Sequence, residues 1–409
     1  MKKIFYAIGF VLLVVPVALY INDYFKKEII ASINQDIEQI PSSAGTVASC
    51  VLPAPTSKLV VNVKTRGATG NGSTDDTAAI QAAINQVAGT GGIVLVPPGT
   101  YMINAVTSLN LGNNMTLMMN GASLKAIPNN ATSYAILNIT GVSKVNVVGG
   151  TLIGDRIGHT GTTGEWGMGI NVESASNVLI SAVTSSNAWG DGFYIGSSGS
   201  QGSGSSDISL CSVIASNNRR QGLSITAANG VSVNNSMFTY TNGTAPMCGI
   251  DIEPNAGNTV NNVQILNSNV QYNNGCGIQV GSSASTPGSN MITNVVIKNN
   301  IVAYNSIIGG MAAGIKIADD TSGHQVINNI VTNNLQDGIG LMSGASNNIV
   351  SGNVATNNGT VSNPSNGIGI LTYDNSLNNT ITGNIVTGNT KANILDLVGG
   401  NIITSNITQ

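Results

Sequence analysis

The sequence predicts an all-β solenoid, a parallel β-helix, and three observations predict it. A four-residue element, glycine–apolar–any–apolar, recurs as GINV at 169, GFYI at 192, GLSI at 222, GIDI at 249, GIQV at 277, GIKI at 314, GIGL at 338 and GIGI at 367, with the glycines 23 to 37 residues apart. Between these elements, asparagine pairs recur five apart: Asn269/Asn274, Asn300/Asn305, Asn329/Asn334, Asn353/Asn358 and Asn384/Asn389. The chain of 409 residues is 42% hydrophobic and only 8% charged, with 50 glycines, so its polar surface is built of amides and hydroxyls.

Strands this short bury no face alone. Stacked coil upon coil they form parallel sheets around a continuous apolar interior. Asparagine at the corners tolerates the left-handed backbone, and its amide can bond the asparagine one coil away. The recurring asparagines therefore read as structural ladders. The net charge of −3 argues against nucleic acid as a partner, which requires clustered Lys and Arg. Two His and four scattered Cys form no zinc pattern.

In chain order, Lys2 and Lys3 precede an apolar run over 4–21, which predicts a membrane-targeting helix within 1–25: an uncleaved signal-anchor or a signal peptide. The bulk of the chain is expected to be exported, secreted or held at the cell envelope through this segment. VASC at 47–50 lies too far from the apolar run to serve as a lipoprotein box. Residues 26–56 read as a short amphipathic helix and a stalk rich in Pro and Ser. The β-helix domain is expected over 57–409. At its start STDD is a helix-start signal, Ile80, Ile84 and Val87 lie at helical spacing, GGIVLV is a buried strand and PPGT a tight turn. This suits a helix that caps the open N-terminal end of the solenoid.

Residues 63–103 closely resemble the opening of the pectate-lyase-like β-helix superfamily, which includes polygalacturonases, rhamnogalacturonases, alginate epimerases and phage tailspikes. The resemblance implies a right-handed β-helix and a polysaccharide ligand, without settling the reaction. WGDGFYIGSS resembles the first polygalacturonase motif and keeps its aspartate as Asp191. The next coil, RRQGLSI, lacks the aspartate pair. MCGIDI has Cys248 where the histidine stands, and GIKI keeps Lys316 but has Gly314 for the arginine. The Asp-Pro-His triplet of the epimerases falls at Tyr194, Ile195 and Gly196 and is absent.

Strand alternation nominates a site. With the apolar positions inward, the outward column reads Asn171, Tyr194, Ser224, Asp251, Gln279, Lys316, Gly340 and Gly369 coil by coil. The next column reads Glu173, Gly196, Thr226, Glu253, Gly281 and Ala318. Coils stack about 4.8 Å apart, which puts Tyr194 and Lys316 each about 10 Å from Asp251. Inserted loops at both ends of these strands would wall a groove; a plain solvated sheet edged by variable loops would give the same columns. The candidate catalytic residues are Asp251, Glu253, Asp191, Lys316 and Tyr194. The candidate binding residues are Arg219, Arg220, Trp166, Glu165, Asn171 and Gln279.

Glycoside hydrolysis needs a carboxylic acid and a second carboxylate, and Asp191, Asp251 and Glu253 supply them. β-Elimination needs a base such as Tyr194 or Lys316 and a cation such as Arg219 or Arg220 to neutralise a uronate. A non-catalytic glycan-binding or surface-spike role is the third reading. Carboxylates dominate the column, which favours hydrolysis of a uronate-containing polysaccharide. Cys248 and Cys276 precede stacked repeat glycines, which would suit either a disulfide between them or a ladder of reduced cysteines, while Cys50 and Cys211 have no evident partner. No cofactor is expected; ADD at 318–320 would suit calcium but reads more simply as an acidic turn. His159 and His324 are assigned no role, and the oligomeric state is not legible.

Overall fold

Three parallel sheets, each receiving one strand per coil, wrap around a single apolar interior. The computed structural model describes residues 50–199, 203–281, 291–307, 313–360 and 366–409. The predicted membrane-targeting helix and the short helix after it lie outside the described residues. Of the predicted stalk, 50–56 is described and is irregular. Among the described residues no helix is long and apolar enough to cross a membrane. The first sheet has 13 strands there, the second 12 and the third 11, and successive strands of a sheet come from successive coils. Helix α1 (Thr77–Val87) buries Ile80, Ile84 and Val87 against the first strands, including Val60–Asn62, Ile93–Leu95 and Leu109–Asn110. Asp75 starts it by accepting the Thr77 N–H at 3.0 Å. Asp76 accepts from Gly70 N at 3.0 Å and Thr69 N at 2.6 Å, tying the preceding turn to the helix.

The alternation read from the sequence sets the interior. Ile250, Ile252, Ile278, Val280, Ile315 and Ile317 are fully enclosed. The corners pose the harder problem, because a buried turn leaves peptide groups without ladder partners. Asparagine rungs supply them. Asn334 Oδ1 accepts from Asn305 N at 3.0 Å and from Asn305 Nδ2 at 3.1 Å. Its own Nδ2 donates to Val302 O at 3.0 Å and to Asn358 Oδ1 at 3.0 Å. The same pattern runs Asn273–Asn305–Asn334–Asn358–Asn389 at one corner and Asn300–Asn329–Asn353–Asn384–Asn406 at another.

The repeat glycine follows from the ladder. A Cβ on Gly249 would lie 2.4 Å from Val270 Cγ1 and 2.8 Å from Asn273 Nδ2, and one on Gly338 2.5 Å from Gly369 O. In the coils of Gly192, Gly249, Gly277, Gly314, Gly338 and Gly369 the glycine thus leaves the space that the asparagine rung fills.

The structure corrects three sequence assignments. Gly338 stacks on Gly369, not Gly367: Ile339 pairs with Ile370 and Gly340 with Leu371, so Leu371 takes the place of Gly369 in the outward column. The slip is two residues, which keeps every side chain on its expected face and hides the error from the alternation. The first asparagine pair sits one residue late, because the rungs there are Ser268 and Asn273; serine does an asparagine's work at that step, accepting from Ser236 N at 3.1 Å. The disulfide joins Cys50 to Cys211, across a sequence separation of 161, while Cys248 and Cys276 are free and buried. Cys50 stands outside the repeat, so spacing gave no signal for it.

The third corner carries a rung that the sequence did not announce. Asn348, Asn379 and Asn401 form its ladder, and His324 heads it. His324 N donates to Asn348 Oδ1 at 2.8 Å, and its Nδ1 accepts from Val295 N at 3.3 Å. Burial holds His324 down to about 4, against an ordinary value of 6.5.

Two outcomes test this architecture. Asn334→Ala strands the Asn305 N–H and the Val302 carbonyl, and should cost about 3 kcal/mol or more in denaturant unfolding of the domain. For His324, the unfolded chain takes up the proton near pH 6.5 and the folded one near 4, so stability falls as pH drops through that window. His324→Asn restores a rung that does not titrate. At pH 5 it should recover about 2 kcal/mol relative to its effect at pH 7.5, read from unfolding midpoints at the two pH values.

Candidate functional site

The third sheet carries the first predicted column in register from Asn171 to Lys316. Asn171 pairs with Tyr194, Tyr194 with Ser224, Ser224 with Asp251, Asp251 with Gln279, and Gln279 with Lys316. Much of the loops predicted to wall this face, at 200–202, 282–290, 308–312 and 361–365, lies outside the described residues.

The structure gathers four carboxylate side chains around Arg220. Its Nη1 lies 3.1 Å from Asp191 Oδ2 and its Nε 3.4 Å from Glu165 Oε2. Burial alone would lower the Arg220 pKa, but the fields of Asp191, Asp251, Glu165 and Glu253 raise it. Asp191 is fully buried and accepts from Ser224 Oγ at 2.7 Å. Burial pushes its carboxyl up to about 6 despite the Arg220 charge and the Ser224 hydrogen bond.

Asp251 does not stand open in a groove as its outward position suggests. It is 2% exposed. Gln221 Nε2 donates to its Oδ2 at 2.6 Å and Gln279 Nε2 to its Oδ1 at 3.2 Å. Burial first, and the Glu253 charge second, raise its pKa well above the ordinary carboxylate value. Glu253, two residues on, is half-buried. Two carboxyl groups on one strand therefore sit in different surroundings, one enclosed and one reaching the surface.

Gln221 is the site residue that sequence reasoning missed. Its Nε2 holds Asp251 and its Oε1 accepts from Cys248 N at 2.7 Å. The available signal was positional: Gln221 precedes its repeat glycine as Asp191 precedes Gly192.

Other predicted residues fall out of the cluster. Arg219 turns away from the Asp191 and Asp251 carboxylates. Its guanidinium stacks on Trp189, 3.8 Å from the ring centroid, and donates to Gly164 O at 2.9 Å and Trp189 O at 3.1 Å. His159 stacks on Trp189 at 4.0 Å and meets Asp155 at 2.9 Å through Nδ1. Tyr134 donates to the same Asp155. This packing pins the 154–166 loop beside the Asp191 turn. Asn171 donates to Asn138 Oδ1 at 3.0 Å, extending an outer amide ladder from Asn110 and Asn138. Trp166 is 49% exposed at the start of its strand.

Tyr194 shares a hydrogen bond with Thr226 Oγ1 at 2.8 Å, and burial raises its pKa. Lys316 lies 3.5 Å from Gln279 Oε1. Cys248 donates toward Cys276, which raises the first thiol and lowers the second. At 318–320 Asp319 and Asp320 adopt left-handed turn conformations. No group of three or more His, Cys, Asp or Glu suited to a metal ion occurs among the described residues.

Residues 60–303 match the rhamnogalacturonase A/epimerase, pectate lyase-like family, and 248–408 match the right-handed β-helix region. The chain belongs to this pectate-lyase-like family. Among curated proteins it is similar to an uncharacterized protein, YclG, of Bacillus subtilis (strain 168), 32% identical over 224 residues that cover 48% of this chain and 38% of the relative. The matched stretch is thus well under half of that relative's length. Among solved structures it resembles the A-module of the Azotobacter vinelandii mannuronan C-5 epimerase AlgE4, with a TM-score of 0.64 at 17% identity, covering 84% of this chain and all of that one. It also resembles PfbA, a surface adhesin of Streptococcus pneumoniae, with a TM-score of 0.64 at 18% identity, covering 86% and 91%. At such identities the likeness is one of fold.

The Asp191 proton gives a prediction with a definite sign. The unfolded chain releases it near pH 3.8 and the folded one near 6, so its share of stability is full below 3.8 and is lost as pH rises through 6. Asp191→Asn should flatten that decline in unfolding midpoints between pH 4 and 6.5; an unchanged pH dependence would show that Asp191 ionises without cost.

Proposed function

We propose that this is an exported protein that cleaves a uronate-containing polysaccharide by glycoside hydrolysis on the third sheet. The observation that carries the reading is the Asp251–Glu253 pair, two carboxyl groups in different surroundings, of which burial raises the Asp251 pKa. Asp251 is the acid. Burial and its neighbour's charge favour its protonated form, and the two glutamine amides fix its orientation. Glu253, reaching the surface, activates water or attacks the sugar. Arg220 balances the ionised carboxylates around it, and Lys316 is the cation on the column available to a uronate. Trp166 offers an exposed ring for stacking. Helix α1 serves as the cap of the solenoid in this proposal. The Cys50–Cys211 disulfide agrees with an oxidising compartment outside the cytoplasm.

Elimination is less favoured, because burial raises the Tyr194 pKa and so disfavours the tyrosinate that would act as the base. Glycan binding without cleavage is the second reading. It has one observation in its favour: the oxygens of Asp191 and Asp251 are already engaged by neighbouring side chains.

The test is a panel of uronate and neutral polysaccharides, assayed for new reducing ends and for unsaturated products absorbing in the ultraviolet. Hydrolysis gives reducing ends alone, and Asp251→Asn or Glu253→Gln should lower the rate by about a hundredfold or more while retaining binding. Unsaturated products would establish elimination. Retention on a polysaccharide with no product would leave the binding role.

A further inference from the structure

Beside the charged cluster lies a hollow of opposite character. It opens past the C-terminal ends of the strands Phe193–Gly196, Leu223–Ile225 and Ile250–Ile252, the strands that carry Tyr194, Ser224 and Asp251. Its volume is about 270 Å³, and Ser203, Ser205, Ser206, Asn229, Asn258 and Thr259 line much of it. Among the described residues no charged or aromatic side chain lines it.

Its position ties it to the site. Ala227 and Ala228 in its wall directly follow Thr226, and Thr226 shares its hydrogen bond with Tyr194. Asn258 reaches back across two coils to Ser197 Oγ at 3.3 Å, next to Gly196 of the second outward column. The hollow therefore borders the column that holds Glu253.

Its chemistry is that of hydroxyl recognition. Ser205 Oγ is spent inside the fold, donating to Gly196 O at 2.9 Å, and Asn229 Oδ1 accepts from Asn262 Nδ2 at 2.8 Å. Ser206 is half-buried, and Asn229 and Thr259 are exposed. Their hydroxyls and the Asn229 amide N–H groups face a ligand with donors and acceptors but no charge. A uronate carboxylate brought here would be desolvated without a cation to meet it, which is costly. A neutral sugar would exchange water for hydroxyl and amide partners at little cost. The size suits one ring, lying below the roughly 300 Å³ at which pockets for larger ligands begin.

We infer that this hollow is a subsite for an uncharged sugar residue, so that the ligand carries a neutral sugar next to the unit held over Asp251 and Glu253. The inference rests on the reading of the third sheet as a polysaccharide site, and it narrows the substrate to a polymer of mixed charge.

The test is saturation-transfer NMR with the methyl glycosides of glucose, galactose, rhamnose and N-acetylglucosamine, and with methyl galacturonide as the charged probe. At least one neutral glycoside should receive saturation from the wild-type protein. Its signal should fall about tenfold in Thr259→Trp, which fills the mouth. It should fall also in the Ser206→Ala/Thr259→Val double variant, which removes two hydroxyls without adding bulk. It should persist in Glu253→Gln, and methyl galacturonide should be indifferent to the hollow variants. No neutral signal in the wild type, or one that survives in a folded hollow variant, overturns the subsite. Neutral binding that persists while no polysaccharide is cleaved would retire the hydrolytic reading and leave the subsite standing.

Discussion

Every coil of this protein turns three corners around an apolar interior, and at each corner the backbone must find hydrogen-bond partners that no sheet ladder provides. The asparagine rung answers this by binding peptide groups of its own corner and of the coil beside it. Glycine at the start of the third-sheet strand is the counterpart, since any Cβ there would meet the rung or the next strand's carbonyl. Rung and glycine fix the register of each coil on the next. That register is what stacks Tyr194, Ser224, Asp251, Gln279 and Lys316 into a column.

The site uses the same economy. Its floor is one strand deep, so no pocket encloses it from behind. Polarity is concentrated by hydrogen bonding across coils instead. Gln221 and Gln279, from the coils on either side, close over Asp251 much as the rungs close over the corners. The difference is the charge they enclose. An amide rung is neutral and satisfied. A carboxyl in that position retains a proton or needs a cation, and Arg220 supplies the cation for Asp191.

The sequence disclosed the fold readily because periodicity and chemistry agree: the apolar positions of GIDI and GIQV enter the core as their alternation requires. Its errors have physical causes. The slip from Gly367 to Gly369 left inside and outside unchanged, so the pattern could not detect it. Ser268 and His324 serve as rungs because a corner needs an acceptor of suitable reach, not asparagine as such. Facing was legible for Asp251 and Asp191, whereas enclosure was not. Alternation tells which side of a sheet a side chain leaves from, and says nothing of what neighbouring coils fold across it. Arg219 and Arg220, adjacent in sequence, part company for the same reason: one stacks on Trp189 and the other enters the carboxylate cluster.

The Cys50–Cys211 bond has a mechanical meaning as well. Cys211 ends the sixth strand of the first sheet, well inside the solenoid. Tension applied through the chain ahead of Cys50 passes across the bond into that strand. Helix α1 and the opening coils, which lie between the two cysteines in sequence, carry none of it. Pulled from that side, the protein is gripped by its middle, and the end that would otherwise peel first is kept out of the line of force.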